Sequence, residues 1–220
     1  MFRVKICGIT NIADALEAAE AGADAIGLNC YPASRRYCPT DRAAEIAAAV
    51  PPRIRKVGVF VNATSEQIRG AVESLRLDLV QLHGDESPEF LQSLRPVPVI
   101  KAFRLAEDYS HVGEYLRQCH RLACTPRMVL VDALSASEYG GTGATVNWRT
   151  LAQHRREFAG VPLVLAGGLT PDNVAAAIAA ARPWAVDTAS GVELSPGQKS
   201  TDKVRAFVAA AVESFGRVRR

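Results

Sequence analysis

Arg3-Val4-Lys5-Ile6-Cys7-Gly8-Ile9-Thr10-Asn11 reads as a strand, a tight turn and a helix cap, and its turn separates two ways of building a parallel sheet. A doubly wound open sheet carries a GxGxxG fingerprint after its first strand, and Cys7-Gly8-Ile9-Thr10 does not fit it. The strand spans residues 3–7, and a helix runs from Asn11, a good capping residue, to about residue 21. The same alternation of a short β-branched run with an alanine-rich helical stretch then repeats. Strands are expected at 24–28, 54–60, 78–82, 97–103, 127–131, 162–166 and 184–188. Helices are expected at 41–50, 65–75, 87–94, 109–119, from about 147, at 171–181 and at 201–215. Thr40-Asp41, Ser65, Ser87-Pro88 and Thr170-Pro171-Asp172 supply the helix starts. Eight such units in 220 residues, joined by short connections, fit a closed (β/α)8 TIM barrel, an α/β fold with one domain over 1–220.

Composition narrows the function. Nearly half the residues are apolar, enough for a sizeable core, and the net charge is +3. The basic residues are scattered, apart from Arg53-Ile54-Arg55-Lys56 and Arg217-Val218-Arg219-Arg220, which argues against nucleic acid as a partner. No run of membrane length and no signal peptide is read, so a membrane partner is not expected. Five cysteines, Cys7, Cys30, Cys38, Cys119 and Cys124, make no CxxC pair and point to reduced thiols in the cytoplasm. The four histidines are scattered and HExxH is absent, so no metal site is expected. Monomer and homodimer are not distinguished.

Barrel chemistry sits at the C-terminal ends of the strands. Read in order, those ends are Cys7, Asn29-Cys30, Asn62, His83, Lys101, Asp132, Gly167-Gly168 and Ala189-Ser190-Gly191. The two glycine-bearing turns after strands seven and eight suit a phosphate, because glycine lets backbone N–H groups approach an anion and a short following helix adds its positive end. Ordinary tight turns are the plainer reading. Strand parity puts Lys5 and Cys7 on one face, opposite Val4 and Ile6. Cys7 is then either a small buried hydrophobe or a group at the barrel mouth. Asp132 ends the apolar run Met128-Val129-Leu130-Val131, where a carboxylate is either paired or functional. Arg36, in Tyr31-Pro32-Ala33-Ser34-Arg35-Arg36-Tyr37, is either a clamp for a substrate carboxylate or a solvated arginine. His83 is either a second acid–base group or a structural histidine, and Gln81 joins it as a substrate-contact candidate. Parity also suggests that Lys5 points inward beneath the site, either raising the local potential or pairing with Asp187. The loop 138–145, Glu138-Tyr139-Gly140-Gly141-Thr142-Gly143-Ala144-Thr145, lacks the P-loop lysine and suits a flap over the mouth.

Taken together the motifs resemble one family. Val4-Lys5-Ile6-Cys7-Gly8-Ile9-Thr10-Asn11, Ser34-Arg35-Arg36-Tyr37, Val57-Gly58-Val59-Phe60-Val61-Asn62 and Val80-Gln81-Leu82-His83-Gly84 look like those of phosphoribosylanthranilate isomerases. So do Leu130-Val131-Asp132, Tyr139-Gly140-Gly141-Thr142-Gly143, Ala166-Gly167-Gly168-Leu169 and Ser190-Gly191-Val192-Glu193, and the likeness runs from Met1 to about Phe215. The resemblance implies an Amadori rearrangement in tryptophan biosynthesis, with Cys7 as general base and Asp132 as general acid. It implies Arg36 on the anthranilate carboxylate and the turns at Gly167-Gly168 and Ala189-Ser190-Gly191 on the ribose phosphate. No redox cofactor or metal is implied, and the partner is a phosphorylated small molecule. Departures from the family pattern fall at Asn29 and Cys30 after strand two, at Ala144 and Asn147 in the sixth loop, and at Thr188-Ala189-Ser190. Two rivals remain on the residues alone. One is a histidine-pathway sugar isomerase, which uses an aspartate where Cys7 stands. The other is a non-catalytic phosphate-binding barrel.

Overall fold

Parallel strands β1 (Val4–Cys7), β2 (Ala25–Asn29), β3 (Arg55–Phe60), β4 (Leu79–Leu82), β5 (Val99–Leu105), β6 (Met128–Ala133), β7 (Leu163–Leu165) and β8 (Ala185–Thr188) close on themselves in chain order. This computed structural model describes residues 1–105, 109–133 and 148–218. Closure is the β1–β8 seam, where Val4 pairs with Val186 and Lys5 with Asp187. The outer helices are α1 (Ile12–Glu20), α2 (Thr40–Ala49), α3 (Ser65–Leu75), α4 (Pro88–Ser93), α5 (Ser110–Arg121), α6 (Trp148–Gln153), α7 (Val174–Ala181) and α8 (Thr201–Val218). The glycine-rich loop 138–145, with Ala144 and Asn147, lies outside the described residues.

Side-chain alternation divides the apolar residues into two cores. Phe2, Ala25, Val57, Ile100, Leu130 and Ala185 fill the barrel interior. Val4, Ile6 and Leu28 face outward into a second core shared with helical residues such as Ala15, Ile178 and Phe207. Helix α7 shows the pattern in miniature. Val174, Ala177, Ile178 and Ala181 are its buried residues, the i, i+3, i+4, i+7 stripe of a helix lying on a sheet. Val4 and Ile6 outside leave Lys5 and Cys7 inside, as parity predicts.

Local signals set several helix starts. Asn11 caps α1 by accepting from the Asp14 N–H at 2.8 Å, and Ser87 caps α4 by accepting from Phe90 at 3.3 Å. Helix α3 is capped one residue earlier than expected. Thr64 and Gln67 form a reciprocal capping box there, so Ser65 is already the first helical residue. Thr170-Pro171-Asp172 does not start α7, which begins at Val174. Asn173 closes a turn first, accepting from the Thr170 N–H at 2.8 Å and donating to the Gly168 carbonyl at 2.9 Å. Between β8 and α8 the chain makes a single 3-10 turn (Ser190–Val192) and a small antiparallel hairpin, β9 (Glu193–Ser195) and β10 (Gln198–Lys199). The expected strand–helix alternation contains no such hairpin. Its turn is the Pro196-Gly197 pair, with Gly197 at φ 85°. Among the described residues no helix is long and apolar enough to cross a membrane.

Candidate active site

A cavity of about 310 Å³ opens at the C-terminal end of the barrel. Cys7 of β1, Asp132 of β6, Gln81 and His83 at the end of β4, and Arg36 of the loop after β2 all line it, as do Gly167, Gly168, Ala189 and Ser190. One cavity thus gathers Cys7, Arg36, Gln81, His83, Asp132 and both glycine-bearing turns. Gly191 is not on its wall. A Cβ there would collide with the Leu169 carbonyl, so Gly191 lets the turn after β8 press against the turn after β7. The Thr188 hydroxyl ties the same two turns by donating to Leu169 O at 2.7 Å, which gives this departure from the family pattern a structural task.

The turn after β7 needs its glycines. Gly167 and Gly168 stand at φ 81° and 62°, a region costly for other residues. Among the described residues neither N–H donates to a protein acceptor, which leaves both donors for an anion. Three other expectations are corrected. Lys101 is interior to β5 rather than at its end, and parity turns it outward. Its ammonium donates to Gly84 O at 2.7 Å and pairs with Glu86 at 2.8 Å in a buried cluster behind the barrel wall. Asn62 stands at φ 50° beyond β3, and its side-chain oxygen accepts from the Asp85 N–H, fixing a loop instead of meeting the cavity. Cys30 is off the cavity wall. Burial, with Cys38 beside it, pushes its thiol up to about 12. Asn29 does line the cavity, and it also orders the second loop. It donates to Ser34 Oγ at 2.9 Å and accepts from the Tyr31 N–H at 3.0 Å.

Beneath Cys7 lies a buried charge pair. Lys5 Nζ is 2.7 Å from Asp187 Oδ1, with the lysine fully buried. Burial alone would discharge this lysine, but the Asp187 and Cys7 side chains outweigh it and hold its pKa above the ordinary lysine value. Burial pushes the Cys7 thiol up, opposed in part by Lys5 and Lys199. Room for the sulfur is made by Gly27, the residue opposite in β2, where an added Cβ would sit 2.5 Å from Cys7 Sγ.

These shifts set a pH dependence. If Cys7 serves as a base, its deprotonated thiol is the working form, and the raised pKa leaves little of it at neutral pH. The rising limb of kcat/KM against pH is therefore expected above the free-thiol value of ~8.5. Lys5→Met removes the largest influence that lowers the Cys7 pKa. It also lets Asp187 neutralise, which offsets only part of that loss, because Asp187 acts on Cys7 less than Lys5 does. The limb should move to higher pH in kcat/KM profiles of the variant, and an unmoved limb would remove Lys5 from the electrostatics of the site.

On the far wall Gln81 Nε2 lies 2.9 Å from His83 Nδ1, and His83 Nε2 lies 3.5 Å from Asp132 Oδ2. With the amide donating to Nδ1, the ring proton sits on Nε2 and faces the carboxylate. His83 is thus hydrogen-bonded to Gln81, as a structural histidine would be. It is a neighbour of Asp132. Arg36 is held at its side: its Nε and Nη2 both donate to Glu193, at 2.7–3.1 Å. Glu193 appears in the sequence only as the end of the motif Ser190-Gly191-Val192-Glu193, and Lys199, which contacts it at 2.8 Å, is not conspicuous. The only signal is two charges flanking a Pro-Gly turn. Among the described residues no group of three metal-ligating side chains occurs.

A closed parallel barrel whose catalytic-end cavity combines glycine turns after β7 and β8 with a facing thiol and carboxyl belongs to the class of barrel enzymes that work on phosphorylated small molecules by proton transfer. The comparisons narrow the class. Residues 4–210 match the family model of N-(5′-phosphoribosyl)anthranilate (PRA) isomerase. The N-(5′-phosphoribosyl)anthranilate isomerase of Geobacter metallireducens is 46% identical over 213 residues, covering 96% of this chain and 99% of that protein. The crystal structure of phosphoribosyl anthranilate isomerase from Thermotoga maritima superposes with a TM-score of 0.83 at 39% identity, over 97% of this chain and 100% of that one. A phosphoribosyl anthranilate isomerase in complex with reduced 1-(o-carboxyphenylamino)-1-deoxyribulose 5-phosphate gives a TM-score of 0.80 at 38% identity, over the same shares of the two chains. The chain belongs to the N-(5′-phosphoribosyl)anthranilate isomerase family.

Proposed function

We infer that this chain converts N-(5′-phosphoribosyl)anthranilate to 1-(2-carboxyphenylamino)-1-deoxy-D-ribulose 5-phosphate, an aldose–ketose isomerisation of tryptophan biosynthesis, in the cytoplasm. The observation that carries this reading is the lining of a single cavity by Cys7, Asp132, Arg36 and the glycine turns after β7 and β8. The ribose phosphate lies on the N–H groups of Gly167 and Gly168 and on the turn Ala189-Ser190, with Gly191 behind it. Asp132, in its protonated form, gives its proton to the ring oxygen as the C1′–O bond breaks, leaving a Schiff base between C1′ and the anthranilate nitrogen. The Cys7 thiolate takes the proton from C2′, and the electron pair moves to neutralise the Schiff base nitrogen. The enolamine then tautomerises to the ketone, its enol proton leaving oxygen as C1′ gains one. Lys5 stabilises the thiolate from below. His83 flanks Asp132, with Nε2 3.5 Å from Oδ2, and Gln81 orients the imidazole ring through Nδ1. Among the described residues Gln81 Oε1 and His83 Nε2 are buried with no hydrogen-bond partner, which suits groups that meet a substrate. Phosphate binding far from the reacting carbons anchors the sugar while chemistry proceeds.

The direct test is loss of anthranilate fluorescence when the chain meets freshly prepared phosphoribosylanthranilate. Saturable decay is expected, and a signal no faster than the buffer control would refute the activity. Arg36 is assigned to the anthranilate carboxylate. Arg36→Met should therefore raise KM by about tenfold or more, the loss of a charge-assisted pair. A KM equal to that of the parent would return Arg36 to a purely structural role.

A further inference from the structure

Arg36 does not stand alone on its wall. Glu193 accepts from Arg36 Nε at 2.9 and 3.1 Å, from Arg36 Nη2 at 2.7 Å, from Lys199 Nζ at 2.8 Å and from the Gly197 N–H at 3.1 Å. Lys199 Nζ donates in addition to the Cys7 carbonyl at 2.6 Å and to the Ala189 carbonyl at 3.2 Å. The side chains of Glu193 and Lys199 are 4% and 2% exposed, so the contacts are shielded from water. The β9–β10 hairpin therefore carries a brace joining the strand that bears Cys7, the turn assigned to phosphate and the arginine assigned to the anthranilate carboxylate. We propose that Glu193, backed by Lys199, is a positioning residue that fixes the plane of the Arg36 guanidinium, and through it sets the preference for substrates with a ring carboxylate. This rests on the assignment of Arg36 made above.

Two arguments carry the proposal. The first is geometric. Recognition of a carboxylate by arginine depends on two parallel N–H bonds from a planar fork, so it is lost when the plane is free to turn. Glu193 grips one edge of the fork, and the Arg36 stem is confined from below by Gly8, where an added Cβ would sit 2.5 Å from Arg36 Cδ. The second is electrostatic. A lone Arg36–Glu193 pair would be neutral and would offer an incoming carboxylate no net attraction. Burial lowers the Lys199 pKa against the opposing pull of Glu193; in its protonated form Lys199 makes the cluster two cations and one anion, so one positive charge remains. Burial would push the Glu193 carboxyl up, but the hydrogen bonds from Arg36 and Lys199 and their charges outweigh it and keep it ionised.

The test compares kcat/KM for the natural substrate with that for the carboxyl-free analogue N-(5-phosphoribosyl)aniline, in the parent chain and in Glu193→Gln, Lys199→Met and Arg36→Met. Glutamine keeps the shape of glutamate, and circular dichroism verifies the fold of each variant. The parent is expected to favour the carboxylated substrate. Glu193→Gln should reduce that preference by about tenfold, approaching the Arg36→Met ratio, even though it raises the positive charge of the cluster. Lys199→Met should reduce it in the same direction. Equal losses on both substrates, or a preference kept in Glu193→Gln and Lys199→Met while Arg36→Met abolishes it, would overturn the positioning role. A preference that survives Arg36→Met would instead overturn the assignment of Arg36 itself. Loss of anthranilate fluorescence provides the signal with the natural substrate, and phosphate-ester chromatography with the analogue.

Discussion

Cys7→Ala should lower kcat by at least about 10²-fold while leaving the barrel folded, because proton transfer from C2′ then has no positioned base. The side chain is small and almost fully buried, at 9% exposure. Its loss removes one sulfur and leaves only a small void opposite Gly27, so the packing cost is near the lower end for large-to-small core changes, ~1 kcal/mol. Catalysis and stability are therefore separable in this variant. Cys7→Ser is the sharper control, since a hydroxyl fits the same space but ionises far less readily than a thiol. Both variants should keep binding a product analogue, because neither touches Arg36 or the phosphate turns. Turnover within a few-fold of the parent would remove Cys7 from the mechanism, and loss of analogue binding would mean that its replacement disturbs the site.

Asp132→Asn is expected to have an effect of similar size, at least about 10²-fold on kcat, by a different route. Asparagine preserves shape and keeps a hydrogen-bonding group beside His83 Nε2, which lies 3.5 Å from the carboxylate. It cannot deliver a proton to the ring oxygen, so the closed sugar accumulates. Because ring opening precedes proton abstraction, a substrate deuterated at C2′ should show a smaller isotope effect with Asp132→Asn than with the parent. An undiminished isotope effect, or near-normal turnover, would mean that another group opens the ring. The double variant Cys7→Ala/Asp132→Asn should fall well short of the product of the single losses, since sequential steps do not add.

How far the sequence reveals this site follows from which interactions are local. Strand parity put Lys5 and Cys7 on one face and offered the Lys5–Asp187 pair as one of two roles for Lys5, because alternation holds wherever a strand is regular. The glycine turns after β7 and β8 were legible because left-handed φ values and close backbone approach leave a residue-type signature. Asn11 and Ser87 announced their helices, but Thr64 and Asn173 took over the ends of two others. Capping competes among neighbours within a few residues, and the sequence offers several donors and acceptors at each place. Lys101 misled because its distance from the strand end depends on how far β5 extends, which is a property of the closed sheet. The Arg36–Glu193–Lys199 brace spans 157 residues between arginine and glutamate. No periodicity or spacing rule reaches across such a gap, and only the closing of β8 against β1 brings the two together.

The central claim is spatial: one sugar phosphate lies with its anionic end on the turns after β7 and β8, and with its reacting carbons between Cys7 and Asp132. A crystal structure of this chain with reduced 1-(o-carboxyphenylamino)-1-deoxyribulose 5-phosphate tests it directly. The expected complex has the phosphate on the Gly167, Gly168 and Ser190 backbone, the ring carboxylate on Arg36, Cys7 Sγ within roughly 3.5 Å of C2′, and Asp132 at hydrogen-bond distance from the sugar oxygen released on ring opening. A ligand bound with its phosphate elsewhere, or with C2′ beyond reach of the Cys7 sulfur, would contradict it.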